Sequence, residues 1–342
     1  MSNYKIHSGV CKLGEPFQLE CGDVLPNVEI AYETYGEIDE AGTNAVLVCH
    51  ALTGNSSSNE WWKTVVGEGK ALDPSKYFII TPNCIGSCYG STGPESINPA
   101  TSEPYHSDFP QITIRDIALS LLTLLDTLGI KTLSLAIGGS FGAMIIFEIA
   151  LLAPERVHRI IPISCGVEHS AWRIAFSSTI RKIIGEGIAT GNGERAFALA
   201  RQVAMTTYRS PIEFEERFAR KKENNVYEIE NYLEHHGKKI VGRFSPYSYI
   251  TLTRAMENYS IFEGREGKKN EILSRIKAQA LLVGASTDIL YSEAELREIA
   301  EQLPKGKYET LHASWGHDSF LIEDNTLNKM ITQFLRETED KQ

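Results

Sequence analysis

A serine flanked by glycines on a predicted turn is the feature that most constrains how this chain can fold. Residues 138–142 read Gly-Gly-Ser-Phe-Gly. The apolar segment 133–137 before them predicts a buried strand, and the apolar segment 143–153 after them predicts a buried helix that ends at Pro154. A serine on such a turn is a nucleophile elbow, because small neighbours let the backbone bend and expose the hydroxyl. The pentapeptide alone also fits a simple turn or a phosphate-binding loop, so catalysis requires a base and an acid elsewhere.

Length, charge and hydropathy narrow the class of protein. The 342 residues can form one large α/β domain or a core with an inserted second domain. No apolar run reaches the roughly 18 residues of a membrane span, and the N-terminus lacks the pattern of a signal peptide. The net charge of -10 argues against nucleic acid as a partner. We therefore expect a cytoplasmic protein without a membrane or nucleic-acid partner.

The six cysteines do not predict a metal or redox site. Cys84 and Cys88 are separated by three residues, which matches no zinc or redox motif, and the other cysteines are scattered. Cys49 and Cys165 lie at the ends of strand-like runs, where a buried thiol acts as a small hydrophobic side chain. We expect no metal site.

Strand-like and helix-like segments alternate along the chain, which predicts a mostly parallel sheet covered by helices. Apolar runs typical of strands buried on both faces lie at 45–49, 77–81, 160–164 and 278–284, with a short strand at 307–311. Two alternating runs, 17–21 and 28–36, predict an antiparallel hairpin at the edge of the sheet. Helices are predicted at 113–128, 293–302 and from about 325, and a long loop at 82–110.

The segment 168–264 differs from the rest of the chain. Its helix-like runs are rich in charged and aromatic residues, and no strand-like run interrupts them. Helices inserted between two core strands form a lid or cap. The sequence therefore predicts a core of residues 1–167 and 265–342 with an inserted helical lid of residues 168–264.

Two further residues can complete a catalytic triad with Ser140. Asp288 directly follows the strand-like run 278–284, which places it at the same sheet edge as Ser140. Glu168 is the alternative acid. His317 follows the last short strand and can reach both as the base. The chain order Ser140, Asp288, His317 is the order expected of a nucleophile-elbow fold, in which imidazole deprotonates the serine and the carboxylate holds the imidazole.

The loop 50–54, which follows the first buried strand, is predicted to supply half of an oxyanion hole. One amide comes from this loop in such folds, and the other comes from the residue after the nucleophile. Leu52, with Ala51 beside it, and Phe141 hold these positions. His50 precedes the nucleophile, so we interpret it as a structural histidine that pins the loop and not as the base.

These motifs resemble the homoserine O-acetyltransferase family, a transferase branch of the α/β-hydrolase fold, over nearly the whole chain. Asp-Phe-Pro-Gln-Ile-Thr-Ile-Arg-Asp at 108–116 and His-Ala-Leu-Thr-Gly at 50–54 are the most specific motifs, since generic esterases have neither. The match also includes the elbow and the motifs at 61–62, 67–71, 91–94, 207–210, 286–288 and 316–318. The resemblance implies a mostly parallel central sheet with helices on both faces and an inserted helical lid domain.

The resemblance also implies an activity. Ser140 would take an acetyl group from acetyl-CoA and pass it to the side-chain hydroxyl of L-homoserine, a step in methionine biosynthesis. Asp288 and His317 would act as the orienting acid and the base. Acetyl-CoA is then a co-substrate, and no cofactor is expected.

The family further implies residues that bind the acceptor. Arg201 and Tyr208 of the lid, with Asp318, would hold the amino acid, because a guanidinium pairs with its carboxylate and a carboxylate with its ammonium. The basic run 220–222 is either a CoA phosphate contact or a solvated face. A homodimer through the lid helices is also implied.

Several alternatives stay open. Ala143 stands where the family commonly has a second glycine, and the segment 101–106 departs from the usual Thr-Gly-x-Pro-Tyr-Gly. Relatives with the same motifs transfer succinyl groups or act on serine or a cephalosporin alcohol, so a homoserine or serine O-succinyltransferase is one alternative. A lid-bearing serine esterase, in which water takes the acyl group, is another. A non-catalytic binding protein of this fold is the third, although such proteins usually lack a triad member.

Overall fold

An eight-stranded sheet forms the centre of the computed structural model, which describes residues 4–339. The strands lie in the order β1-β2-β4-β3-β5-β6-β7-β8, and they span β1 (Ile6–Leu13), β2 (Val28–Tyr35), β3 (Ala45–Cys49), β4 (Phe78–Pro82), β5 (Leu135–Gly139), β6 (Arg159–Ile163), β7 (Gln279–Ala285) and β8 (Gly306–Leu311). β1, β2 and β4 pair antiparallel, and the pairs from β4 to β8 are parallel. The carboxyl ends of β3, β5, β7 and β8 therefore lie at one edge of the sheet.

Helices connect the strands and surround the sheet. They are α1 (Ser58–Trp61), α2 (Ile114–Thr127), α3 (Phe141–Leu152), α4 (Ala171–Ala189), α5 (Gly193–Tyr208), α6 (Pro211–Arg217), α7 (Glu228–Val241), α8 (Pro246–Glu257), α9 (Lys269–Leu273), α10 (Glu293–Gln302), α11 (Ser319–Ile322) and α12 (Asp324–Glu339). The predicted cap of α2 is present. The Thr113 hydroxyl accepts a hydrogen bond from the backbone amide of Asp116, and the Asp116 carboxylate accepts one from the backbone amide of Thr113.

The central strands β3 to β7 form because most of their side chains are apolar and buried on both faces. In β3, Leu47 packs into one hydrophobic cluster with Ile117 of α2 and Phe147 of α3. Its neighbour Val48 packs into a second cluster with Ile331 of α12. Successive side chains of a strand point to opposite faces, so the two clusters lie on opposite sides of the sheet. This is the fold class that the sequence predicts.

The N-terminal edge differs from the prediction. The expected hairpin between 17–21 and 28–36 is wrong, because β2 pairs with β1, while Phe17–Gln18 pairs with Val24–Leu25 in a separate ribbon. β1 is an edge strand, and most of its side chains are exposed or only partly buried. It therefore lacks the apolar run that marks the central strands β3 to β7.

Helices α4–α8 lie between β6 and β7, within the segment 168–264 that is called the insertion below. α5 packs against α4 and α7, and α4 also contacts α8. A short hairpin of Lys222–Glu223 and Val226–Tyr227 interrupts the helices. The sequence does not predict it, because strands of two residues show no alternation. The division into a core and a lid domain stays a prediction.

Among residues 4–339, no helix combines the length and the apolar composition that crossing a bilayer requires.

Candidate active site

Ser140 lies on a sharp turn between β5 and α3. Its backbone has a φ of 55° and a ψ of -118°, a conformation that non-glycine residues rarely adopt. The neighbouring glycines permit the turn, since a Cβ at Gly138 or Gly142 would lie 2.4 or 2.2 Å from the carbonyl oxygen of Cys49. The end of β3 thus passes close to the turn, which places the elbow at the carboxyl edge of the sheet.

The structure brings the three predicted triad residues together. The Ser140 hydroxyl donates to Nε2 of His317 over 2.8 Å, and Nδ1–H of His317 donates to Oδ2 of Asp288 over 2.8 Å. Oδ1 of Asp288 accepts from the amides of Leu290 and Tyr291 at 2.8 and 3.2 Å. These bonds orient the carboxylate, and the carboxylate holds the imidazole in the tautomer whose Nε2 can take the serine proton.

The alternative acid, Glu168, lies outside this arrangement. Its carboxylate is about half exposed and forms an ion pair with Lys269. In the described part of the chain, Asp288 and not Glu168 is the carboxylate bound to His317.

Charges around His317 favour its protonated form. Burial of the ring lowers the pKa, but the Asp288 carboxylate and its hydrogen bond raise it, with a smaller contribution from Asp318. Arg173 of the insertion lowers it. The net result is a pKa of His317 above its ordinary value of 6.5. The buried imidazole can therefore hold a proton taken from Ser140.

The predicted oxyanion donors are two free backbone amides. Phe141 begins α3, and the first amides of a helix have no acceptor within it. Leu52 lines the same cavity as Ser140. Neither amide donates to another group within residues 4–339. Both can therefore bind an oxygen anion that develops on a group attached to Ser140.

His50 has contacts that agree with the predicted structural role. The ring is fully buried, its Nδ1–H donates to the carbonyl oxygen of Ala51 over 2.8 Å, and it lies 6.5 Å from the ring of Phe141. Burial lowers the pKa of His50 to about 4, although the bond to Ala51 opposes this. A neutral ring thus braces the loop that carries Leu52.

The three predicted acceptor-binding residues line the same cavity as Ser140. The guanidinium of Arg201 lies over the ring of Tyr208, 5.2 Å from its centroid, and makes no hydrogen bond or ion pair within the described residues. Asp318 pairs with Arg209 over 3.3 Å. Burial raises the pKa of Asp318, although Arg209 and Arg201 oppose this. The cavity thus offers an unpaired cation and a carboxylate near the nucleophile.

The cavity is largely apolar and aromatic elsewhere. Its volume is about 120 Å³, and it opens to solvent. Its apolar lining comes from the insertion, from the loop after β7 and from α11, and includes Phe176, Ile180, Met256, Leu290 and Phe320. The basic run 220–222 is exposed and is not part of the lining. Among residues 4–339, no group of three or more His, Cys, Asp or Glu side chains could hold a metal ion.

Sequence reasoning missed several groups around the triad. Arg173 and His169 line the cavity from the start of the insertion, and Tyr291 stacks on His317 with ring centroids 5.5 Å apart. Burial, with the charge of Arg173, lowers the pKa of His169 to about 3, so its ring is neutral. Arg209 pairs with Asp318. It lies within the segment 207–210, one of the motifs that the chain shares with the family. For His169, Arg173 and Tyr291, the only sequence signal is their position: the first two follow β6, and Tyr291 follows β7.

Comparisons with known proteins agree with this architecture. A family model described as the alpha/beta hydrolase fold matches residues 44–324. The structure is similar to the homoserine O-acetyltransferase of Bacillus anthracis, with a TM-score of 0.88, 22% identity and coverage of 98% of both chains. It is equally similar to esterase E22, with a TM-score of 0.87, 25% identity and coverage of 97% of this chain and 100% of the other. These likenesses show the fold.

Sequence relatives narrow the assignment. The homoserine O-acetyltransferase of Trichormus variabilis is 44% identical over 93% of this chain and 91% of its own length. That of Chlorobaculum parvum is 41% identical over 94% of this chain and 93% of its own. On these grounds, the chain belongs to the homoserine O-acetyltransferase family of the α/β-hydrolase fold.

Proposed function

We propose that this protein transfers an acetyl group from acetyl-CoA to the side-chain hydroxyl of L-homoserine through an acetyl-Ser140 intermediate, in methionine biosynthesis. The observation that carries the proposal is the guanidinium of Arg201, which has no ion-pair partner in the described part of the chain, and the carboxylate of Asp318, both in the cavity that contains Ser140. An amino acid has the matching carboxylate and ammonium. A plain esterase needs neither charge.

The first half of the reaction loads Ser140. His317 takes the hydroxyl proton while Ser140 attacks the thioester carbonyl, and the resulting oxyanion is bound by the amides of Leu52 and Phe141. Collapse of the tetrahedral intermediate breaks the carbon–sulfur bond. The imidazolium, stabilised by Asp288, gives its proton to the departing thiolate, which leaves as free CoA.

The second half unloads the acetyl group. The homoserine hydroxyl loses its proton to His317 as it attacks the acetyl-Ser140 ester, and the same two amides bind the second oxyanion. The carbon–oxygen bond to Ser140 breaks, and the proton returns to the serine oxygen. The products are O-acetyl-L-homoserine and the free enzyme. No cofactor takes part in these steps, and acetyl-CoA serves as a co-substrate.

The acceptor is held by groups that match its two charges. Arg201 can bind the carboxylate through two parallel charge-assisted hydrogen bonds, which a guanidinium makes better than an ammonium. Asp318 binds the ammonium, and Tyr208 supplies a ring and a hydroxyl beside them. With both ends of the amino acid fixed, the side-chain hydroxyl reaches the ester in a reactive geometry.

The helical insertion would act as a lid that limits water, because hydrolysis of the acetyl-enzyme competes with transfer. Esterase E22 has the same overall architecture, so a lid-bearing esterase is the second candidate function. The two functions differ in the molecule that accepts the acyl group. A succinyl donor or a serine acceptor would be a variation on the first function.

We also propose a cytoplasmic homodimer joined through the lid helices. Apolar side chains exposed on these helices support it: Trp172 of α4 is 53% exposed and Leu199 of α5 is 48% exposed. Light scattering coupled to size-exclusion chromatography should give twice the chain mass at micromolar concentration. A monomer there would contradict the dimer.

One experiment tests the main proposal. The protein is incubated with acetyl-CoA, and intact-mass spectrometry looks for an acetyl adduct that Ser140→Ala does not form. Homoserine, serine or buffer is then added, and succinyl-CoA is run in parallel. We expect an adduct from acetyl-CoA that homoserine discharges as O-acetylhomoserine. The absence of an adduct, or equal discharge by water, would contradict the transferase.

A further inference from the structure

Arg173 of α4 is a buried cation whose two terminal nitrogens make several specific contacts. Only 4% of this residue is exposed. Its guanidinium forms a two-point ion pair with Glu295 of α10, with N–O distances of 2.9 and 2.8 Å. It also donates to the carbonyl oxygens of Glu168 and Leu290, each over 2.9 Å. Burying a charge is costly unless it is paired and hydrogen-bonded, so this arrangement is specific and not incidental.

Arg173 contacts residues that in turn contact His317 and Asp288. Its guanidinium lies over the ring of Tyr291, 4.2 Å from the centroid. The same ring stacks on His317, with centroids 5.5 Å apart and an angle of 27° between the planes. Leu290 and Tyr291 are also the two residues whose amides hold Asp288. One side chain from the insertion thus contacts the segment that supports both the acid and the base.

We propose that Arg173 is a positioning residue for the acylation of Ser140: it holds the segment 290–291 so that Asp288 and His317 keep their geometry. The inference rests on the proposed function only in requiring that Ser140 is acylated, and it does not depend on the acceptor. A guanidinium suits this role, because its planar fork can bind both oxygens of Glu295 and stack on a ring at once. An ammonium cannot do both.

The charge of Arg173 also affects the pKa of His317, which the pH dependence of acylation can measure. The charged groups that act on His317 are Asp288 and Asp318, which raise its pKa, and Arg173, which lowers it. Tyr291 beside the ring stays neutral, because burial raises its pKa far above the ordinary value. Removal of the positive charge therefore raises the pKa of His317. Since only neutral imidazole accepts the serine proton, the acid limb of acylation then moves to higher pH.

The experiment measures acylation alone, from the pre-steady-state burst of p-nitrophenol with p-nitrophenyl acetate. Arg173→Lys keeps the charge but loses the two-point pair. Arg173→Met removes the charge. Arg173→Met combined with Glu295→Gln leaves no unpaired carboxylate at position 295 and serves if the single variant folds poorly. Arg181→Lys and Arg181→Met are matched controls. Arg181 lies two turns further along α4 and pairs with Glu257 of α8, within the insertion.

We expect Arg173→Lys to acylate about 10-fold more slowly than the wild type, since a displacement of 1 Å can cost about 100-fold. The Arg181 variants should stay within about twofold, because their pair does not support the triad. Arg173→Met and the double variant should move the acid limb to higher pH, and Arg181→Met should not. The KM of homoserine should not change in any Arg173 variant. All rates are corrected for the folded fraction measured by thermal melts.

The proposal is overturned if the corrected Arg173 variants acylate as fast as the Arg181 controls. It is also overturned if their defect is confined to the KM of homoserine, which would make Arg173 an acceptor-binding residue. Failure of the proposed function has a different signature. In that case the wild type itself forms no acetyl-Ser140 from acetyl-CoA, or its adduct is discharged by water as fast as by homoserine.

Discussion

The α/β core and the helical insertion supply different parts of the site. The core supplies Ser140, Asp288 and His317, which two hydrogen bonds of 2.8 Å join to one another. The insertion supplies two arginines that differ in their ion pairing. Arg173 forms a two-point ion pair with Glu295, whereas Arg201 has no ion-pair partner among the described residues. The difference supports the proposed division, in which the core would perform the acyl chemistry and the insertion would select the molecule that receives the acyl group.

The largest effect should come from the core. Asp288→Asn removes the carboxylate that holds the His317 tautomer, and the analogous change in a serine protease lowers kcat about 10⁴-fold. We expect a loss of about this size in both acylation by p-nitrophenyl acetate and transfer to homoserine, because the two steps use the same base. Burst and steady-state kinetics measure them separately. A loss confined to transfer would break the proposed division between core and insertion.

A smaller and selective effect should come from the insertion. Arg201→Met removes the proposed partner of the acceptor carboxylate, and a hydrogen bond to a charged group contributes about 1.5–3 kcal/mol. We therefore expect the KM of homoserine to rise by roughly 10- to 100-fold, with acylation by acetyl-CoA unchanged. Arg195→Met, an exposed arginine of the same helix, is the matched control. An equal fall in acylation would show that Arg201 does not act on the acceptor.

The smallest effect concerns pH. The pKa of His317 is raised, and the neutral ring is the base, so the acid limb of kcat/KM for p-nitrophenyl acetate should lie above about 6.5. Asp318 contributes to this rise. Asp318→Asn should therefore move the limb to lower pH while leaving the plateau rate of acylation nearly unchanged. An unchanged acid limb would mean that the charge of Asp318 does not act on His317.

Most of the core was predictable because the central strands β3 to β7 are buried on both faces and consist mainly of apolar residues. The predicted ends of β3 to β8 lie within two residues of the observed ones. The sequence did not predict β1, because most side chains of this strand are exposed or partly buried and it has no continuous apolar run. The triad was predictable because its motif and chain order are specific, and the structure joins its members by hydrogen bonds. Their catalytic role stays a prediction.

The supporting groups could not be predicted in the same way. Arg173 and Leu290 are 117 residues apart in the sequence, and their contact exists only because the insertion folds back over the loop after β7. No local pattern encodes such a contact. Without the family resemblance, Arg201 was equally inconspicuous, because a lone arginine on a helix is ordinarily solvated. Its distinguishing feature is that, among residues 4–339, its guanidinium has no hydrogen-bond or ion-pair partner although it lines the cavity of Ser140.

The fate of the acetyl group on Ser140 tests the central claim most directly. The acetyl-enzyme is prepared with acetyl-CoA, freed of excess donor and mixed with homoserine or buffer in a rapid-quench instrument, and acetate and O-acetylhomoserine are quantified. We predict that homoserine discharges the adduct much faster than buffer does, with O-acetylhomoserine as the main product, and that Arg201→Met abolishes this preference at the same homoserine concentration. Equal discharge in both solutions, with acetate as the product, would contradict the account.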